Sequence, residues 1–193
     1  MNLANRLTLL RIILAPLFFA VYFLSARLTD NAVLTVSLLW IIGVIAEFTD
    51  MFDGMAARHL KQSSDFGRLF DPFADTIMQT TVFLCFVIDG ILPVALFLVV
   101  LYREFGIMLL RNYMLQRGIT MGARIGGKIK TVAYITAAAI ALLYASLRRL
   151  DALEPLQPIV SKAALAVFAV SVLFSVLSFI DYAIVCRAAV KNH

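Results

Sequence analysis

Six apolar runs, at 7–26, 32–52, 70–88, 91–110, 129–147 and 163–186, leave this chain of 193 residues few folds to choose from. At 1.5 Å of rise per residue about 20 residues cross the hydrocarbon core of a bilayer. Each run meets or approaches that length once charged ends snorkel to the interface. Backbone polar groups in lipid must be satisfied within the segment, so the runs are expected to be helices. Composition agrees: 62% of residues are hydrophobic and 15% charged, where a soluble domain carries ~25% charged residues. The connections are too short for a separate soluble catalytic unit or receptor head. We therefore expect an all-α integral membrane protein of six transmembrane helices, with 1–193 forming one domain.

Asp89-Gly90 ahead of Pro93 signals a turn, Glu154-Pro155 and Gln157-Pro158 are expected to break the chain between the last two spans, and 111–128 carries four glycines among basic residues. Basic residues set the orientation. One side of the six spans collects twelve of them, among them Arg58, Lys61, Arg68, Arg111, Arg124 and Lys128, and the other collects four, Arg27, Arg148, Arg149 and Lys162. Both termini are expected to be cytoplasmic. The same bias accounts for a net charge of +5 without nucleic acid as a partner. Cys85 and Cys186 lie within apolar runs, where a thiol behaves as a small hydrophobe, so neither a disulfide nor a thiolate metal site is expected.

The informative residues are acids inside the runs: Glu47, Asp50, Asp53, Asp71, Asp75, Glu104 and Asp181. A carboxylate at the bilayer centre costs about 2.5–3.5 kcal/mol on insertion scales, so these are expected to face the bundle interior or a wet cavity. Asp50, Glu104 and Asp181 precede Arg58, Arg111 and Arg187 by eight, seven and six residues, which puts them about 9–12 Å inside the cytoplasmic helix ends. The layer thus opens on one side. A divalent-cation transporter would need polar residues on both sides of the midplane, and the outward halves of the spans carry almost none.

Spacing narrows the chemistry. Asp50, Asp53, Gly54 and Ala57 share one helix face, and Gly67, Asp71 and Asp75 share another. Carboxylates this close repel unless cations sit between them, and hard oxygen ligands suit Mg²⁺ or Mn²⁺. Two such ions are a device for clamping phosphate oxygens during in-line displacement. Glycine weakens a helix by ~1 kcal/mol relative to alanine, so Gly54 and Gly67 beside paired acids point to a ligand that approaches the backbone closely. These residues do not by themselves distinguish cytidine from another nucleotide, or Asp75 from Asp71 as a base.

The run DMFDGMAARHLKQSSDFGRLFDPFAD, from Asp50 to Asp75, matches the signature D-x2-D-G-x2-A-R-x8-G-x3-D-x3-D at every fixed position. In this the chain resembles the CDP-alcohol phosphatidyltransferases. The resemblance implies a homodimeric six-helix enzyme that moves a phosphatidyl group from CDP-diacylglycerol to an alcohol and releases CMP. It implies that Asp50, Asp53, Asp71 and Asp75 hold two metal ions, that Asp75 is also the general base, and that Gly54, Ala57, Arg58 and Gly67 receive the nucleotide.

The acceptor is read elsewhere. Arg111, Arg117, Arg124, Lys128 and Lys130 form a basic cluster at the carboxylates' membrane face, which suits an anionic alcohol. Arg111, Arg124, Lys128 and Lys130 are the expected acceptor ligands. Asn5, Thr8 and Arg11 follow helical spacing in the first span, with Asn5 and Thr8 expected at the donor phosphates, while Arg103 and Glu104 are expected to brace the layer as a buried pair. The stretches NRLTLLR from Asn5, Arg103-Glu104 and GGKIKT from Gly126 resemble those of bacterial phosphatidylglycerophosphate synthases, although Ala4 and Thr76 stand where those enzymes commonly have proline and lysine. That similarity implies sn-glycerol 3-phosphate as acceptor, with inositol phosphate, inositol or serine as the sister alternatives, and an active site on the cytoplasmic face of the inner membrane.

Overall fold

The computed structural model describes the backbone of residues 3–28, 31–60, 65–119 and 125–191, and the side chains of 6–25, 31–49, 70–119 and 126–190. Every regular element among the described residues is helical: α1 (Leu3–Leu28), α2 (Ala32–Leu60), α3 (Asp65–Ile88), α4 (Val94–Gln116), α5 (Ile125–Arg149), a short 3-10 turn at Glu154–Leu156, and α6 (Gln157–Lys191). Among the described residues five stretches are long and apolar enough to cross a membrane: Arg6–Ser25, Ala32–Thr49, Phe70–Ile88, Gly126–Arg149 and Glu154–Val190. At 23 residues α4 also has the length, but Arg103, Glu104 and Arg111 interrupt its apolar run.

The chain divides into two compact units, Met1–Cys85 with Arg148–Ala152, and Phe86–Leu147 with Leu153–His193. In the first, α1 packs on α2 through seven-residue repeats. Buried positions on α1 run Thr8, Arg11, Ala15, Phe18 and Tyr22, and on α2 Thr35, Leu39, Ile42, Ala46 and Thr49. Alternating steps of three and four keep one stripe facing its neighbour. On α1 that stripe is polar for its first two rungs and apolar thereafter. At its other end Arg149 lies with its guanidinium 4.0 Å from the Tyr22 ring centroid and donates to the Tyr22 carbonyl at 3.3 Å.

In the second unit α4 packs on α6. The buried stripe of α5 is largely of small residues, Ala137, Ala141 and Ala145, which lets helix axes approach closely. A Cβ added to Gly106 would come 2.9 Å from the Phe179 ring, and one added to Gly126 3.3 Å from Ser178 Oγ. Near its C-terminus α6 buries Tyr182 and Cys186 against Met114 of α4.

Local chemistry explains the boundaries. Asn31 caps α2, its Oδ1 accepting from the Leu34 amide at 3.0 Å. The chain after α3 and after α4 turns through glycine at φ 73°, Gly90 and Gly118. Each turn closes with paired reverse bonds: Gly90 N to Val87 O and Ile91 N to Phe86 O, then Gly118 N to Leu115 O and Ile119 N to Met114 O. Two sequence expectations change here. Pro158 lies in the first turn of α6, where a missing amide proton is no loss, so it starts a helix rather than breaking one. And most of the described residues of 111–128 are helical, with α4 running on to Gln116 and α5 beginning at Ile125.

Candidate active site

The signature aspartates sit on two helices of the first unit, Asp50 and Asp53 on the C-terminal third of α2 and Asp71 and Asp75 near the start of α3. The side chains of Asn5, Asp50, Asp53, Gly54, Ala57, Arg58, Gly67 and Arg124 lie outside the described residues.

Asp71 and Asp75 are one turn apart and α1 meets both. The Thr8 hydroxyl donates to Asp71 Oδ1 at 2.5 Å, and the Arg11 guanidinium forms an ion pair with Asp75 Oδ1. Spacings of three on α1 and four on α3 bring these rungs opposite each other. Thr8 and Arg11 are buried, at 1% and 2% exposure, whereas the Asp75 side chain is 48% exposed. Arg11 thus pins one side of a carboxylate whose other side stays open to a reactant. Pro72, between the aspartates, brings no amide proton, so α3 lacks a backbone bond beside them. The Thr76 hydroxyl turns back to the Pro72 carbonyl at 2.8 Å.

Among the described residues no three His, Cys, Asp or Glu side chains gather at one point. Asp71 and Asp75 nonetheless have the all-oxygen chemistry of a hard-cation site, and Arg11 shows one of them already neutralised by a positive charge.

The acceptor residues separate. Arg111 on α4 is half-buried, and Lys128 on the first turn of α5 is exposed. Lys130 departs from the expectation of a free cation: its ammonium is buried and lies 2.9 Å from Glu104 Oε1. Arg103 Nη1 meets the same oxygen at 2.9 Å, so the expected buried pair is a triad. Glu47 and Asp181 also depart, both being exposed; Glu47 falls between the buried rungs Ala46 and Thr49, and Asp181 just before Tyr182. Sequence reasoning did not find Tyr134 and Ser175, which complete the triad's surroundings. Their only signal was polarity at helical spacing within apolar runs.

A family model described as CDP-alcohol phosphatidyltransferase matches residues 1–177. The chain belongs to this family. Its relatives include a protein of Treponema pallidum named CDP-diacylglycerol–glycerol-3-phosphate 3-phosphatidyltransferase, 41% identical over 76% of this chain and 71% of that protein. A Mycobacterium tuberculosis protein named probable phosphatidylglycerophosphate synthase is 34% identical over 94% of this chain and 79% of its own length. A Bacillus subtilis protein bearing the same name as the Treponema one is 34% identical over 74% and 77%. In this family member the matched region takes in all four signature aspartates and every expected acceptor residue.

Proposed function

We propose that this phosphatidyltransferase moves the phosphatidyl group of CDP-diacylglycerol to sn-glycerol 3-phosphate, giving phosphatidylglycerophosphate and CMP. The observation that carries this reading is the half-exposed carboxylate of Asp75, pinned from one side by Arg11 one turn from Asp71. The names of the relatives support the substrates.

The acceptor's primary hydroxyl approaches the open side of Asp75. Its oxygen forms a bond to the phosphorus that bears diacylglycerol, the bond from that phosphorus to the CMP oxygen breaks, and the hydroxyl proton passes to Asp75. Asp50, Asp53, Asp71 and Asp75 would hold the two Mg²⁺ or Mn²⁺ ions, whose contribution is to neutralise the pyrophosphate and the departing CMP. Thr8 keeps Asp71 in register, with Asn5 beside the donor phosphates one turn earlier. Gly54, Ala57 and Gly67 leave room for the nucleotide and Arg58 faces its phosphates. Arg111, Arg124 and Lys128 attract the phosphate of the acceptor.

The orientation belongs to the same proposal. The excess of basic residues on one side puts both termini and the active site at the cytoplasmic face, α4 completes the six spans, the bacterial relatives support an inner-membrane location, and the family resemblance implies a homodimer. The test is CMP release by purified protein in detergent with CDP-diacylglycerol and Mg²⁺ or Mn²⁺, against glycerol 3-phosphate, inositol 1-phosphate, inositol and serine. Release with glycerol 3-phosphate alone is expected. Release with another acceptor alone overturns the substrate, and silence with all four overturns the reaction.

A further inference from the structure

The second unit holds a polar node that the proposed transfer leaves without a task. Glu104 Oε1 accepts from Arg103 Nη1 and from Lys130 Nζ, each at 2.9 Å. Arg103 Nε donates to the Ser175 carbonyl at 3.3 Å, and the Tyr134 hydroxyl to Ser175 Oγ at 2.6 Å. Lys130 Nζ also lies 4.6 Å from the Tyr134 ring centroid. One carboxylate oxygen and one serine therefore tie α4, α5 and α6 together. All five residues are buried, none more than 8% exposed.

A cation that captures a water-borne phosphate has to be reachable, and Lys130 is not. Lys128 is exposed, and two residues along a helix place it about 200° around the axis from Lys130. The direction in which Lys128 points is therefore set by the rotation of α5, and that rotation is held at two points near its start: by Lys130 on Glu104, and by Gly126 against Ser178, where a Cβ would come 3.3 Å from the hydroxyl oxygen. Glu104 lies between two cations, Arg103 and Lys130, and offsets their repulsion.

We propose that Lys130 is a positioning residue: through Glu104 it fixes the rotation of α5, and with it Lys128 at the acceptor site, without touching the acceptor phosphate itself. The inference rests on the proposed use of a phosphorylated acceptor. A double-mutant cycle supplies its test. The triad of Arg103, Glu104 and Lys130 carries +1, K130M makes it 0, E104Q makes it +2, and the double variant K130M/E104Q returns it to +1 with Arg103 still able to donate to the amide oxygen that replaces the carboxylate.

The measurement is KM for glycerol 3-phosphate and for CDP-diacylglycerol, with kcat, for wild type and the three variants. K130M is expected to raise the acceptor KM about tenfold and leave the donor KM within about twofold, E104Q to raise the acceptor KM in the same direction, and the double variant to be no worse than K130M, because both changes break the same tie. An E104Q variant with the acceptor KM of wild type, or a double variant in which the two losses add, would show Lys130 acting apart from Glu104 and overturn the proposal. So would a change in thermal stability alone, or equal shifts of both KM values, because those describe a mere brace. If K130M does not fold, K130L, which likewise has no donor for Glu104, takes its place in the same comparison. Wild type that works only with an uncharged acceptor overturns the proposed substrate and this inference with it. Wild type active on glycerol 3-phosphate with losses that add in the double variant overturns the inference alone.

Discussion

Two polar clusters interrupt this apolar molecule, and they are built to opposite rules. In the first unit Thr8 and Arg11 are buried, and the Asp75 carboxylate that Arg11 pairs with is 48% exposed, so the cluster ends in an open reactive group. In the second, Arg103, Glu104, Lys130, Tyr134 and Ser175 are all buried and bonded to one another. Both are expensive to keep out of water, and each limits that cost by pairing. The difference lies in what is left over. A cluster that presents an unfilled coordination side invites a reactant, whereas one that closes on itself can only hold geometry. Charge in a membrane helix therefore does not by itself mark a catalytic group, and accessibility sorts the two roles.

Chelation of divalent ions is the bluntest way to break the comparison. Activity is expected to fall to background in EDTA and return with Mg²⁺ or Mn²⁺, and undiminished CMP release in chelator would remove metal ions from the open cluster. Next in size, D75N should lower kcat by about a thousandfold, within the usual range for loss of a general base, with CDP-diacylglycerol binding and the gel-filtration profile retained. If instead D75N unfolds the protein, Asp75 is a brace and the clusters are alike. R111A and K128A should each raise KM for glycerol 3-phosphate about tenfold or more, the scale of one charge-assisted hydrogen bond, while KM for the donor stays put. The smallest effect belongs to the closed cluster: S175A takes away the acceptor of the Tyr134 hydroxyl and should lower stability by about 1 kcal/mol, read as a drop in melting temperature in detergent.

How much of this was legible in the sequence differs between levels. The helices were, because hydrophobic runs of membrane length have few other options, and the Asp89-Gly90 turn was, because a left-handed glycine ends α3. Helix ends were not. Hydropathy marks where the hydrocarbon lies rather than where hydrogen bonding stops, so the run at 163–186 became the 35-residue α6 (Gln157–Lys191). That Asp71 and Asp75 share one face of α3 was legible from spacing alone, since four residues make about one turn. Their partners were not: nothing local says that Thr8 meets Asp71, or that Lys130 prefers Glu104, 26 residues away, to an anion in water. Pairing across long separations depends on which helices pack, and periodicity reports only which face of each is buried.

The pairing of Arg11 with Asp75 also sets a clock on how the protein is made. The two residues are 64 positions apart in the chain, so at about 5–20 residues per second a nascent α1 waits roughly 3–13 s before its counter-ion has been synthesised. Arg11 lies eight residues into α1, about 12 Å from its start, within reach of the interface for a long flexible side chain. The burial of Arg11, at 2% exposure, is therefore a property of α1 and α3 together and not of α1 alone.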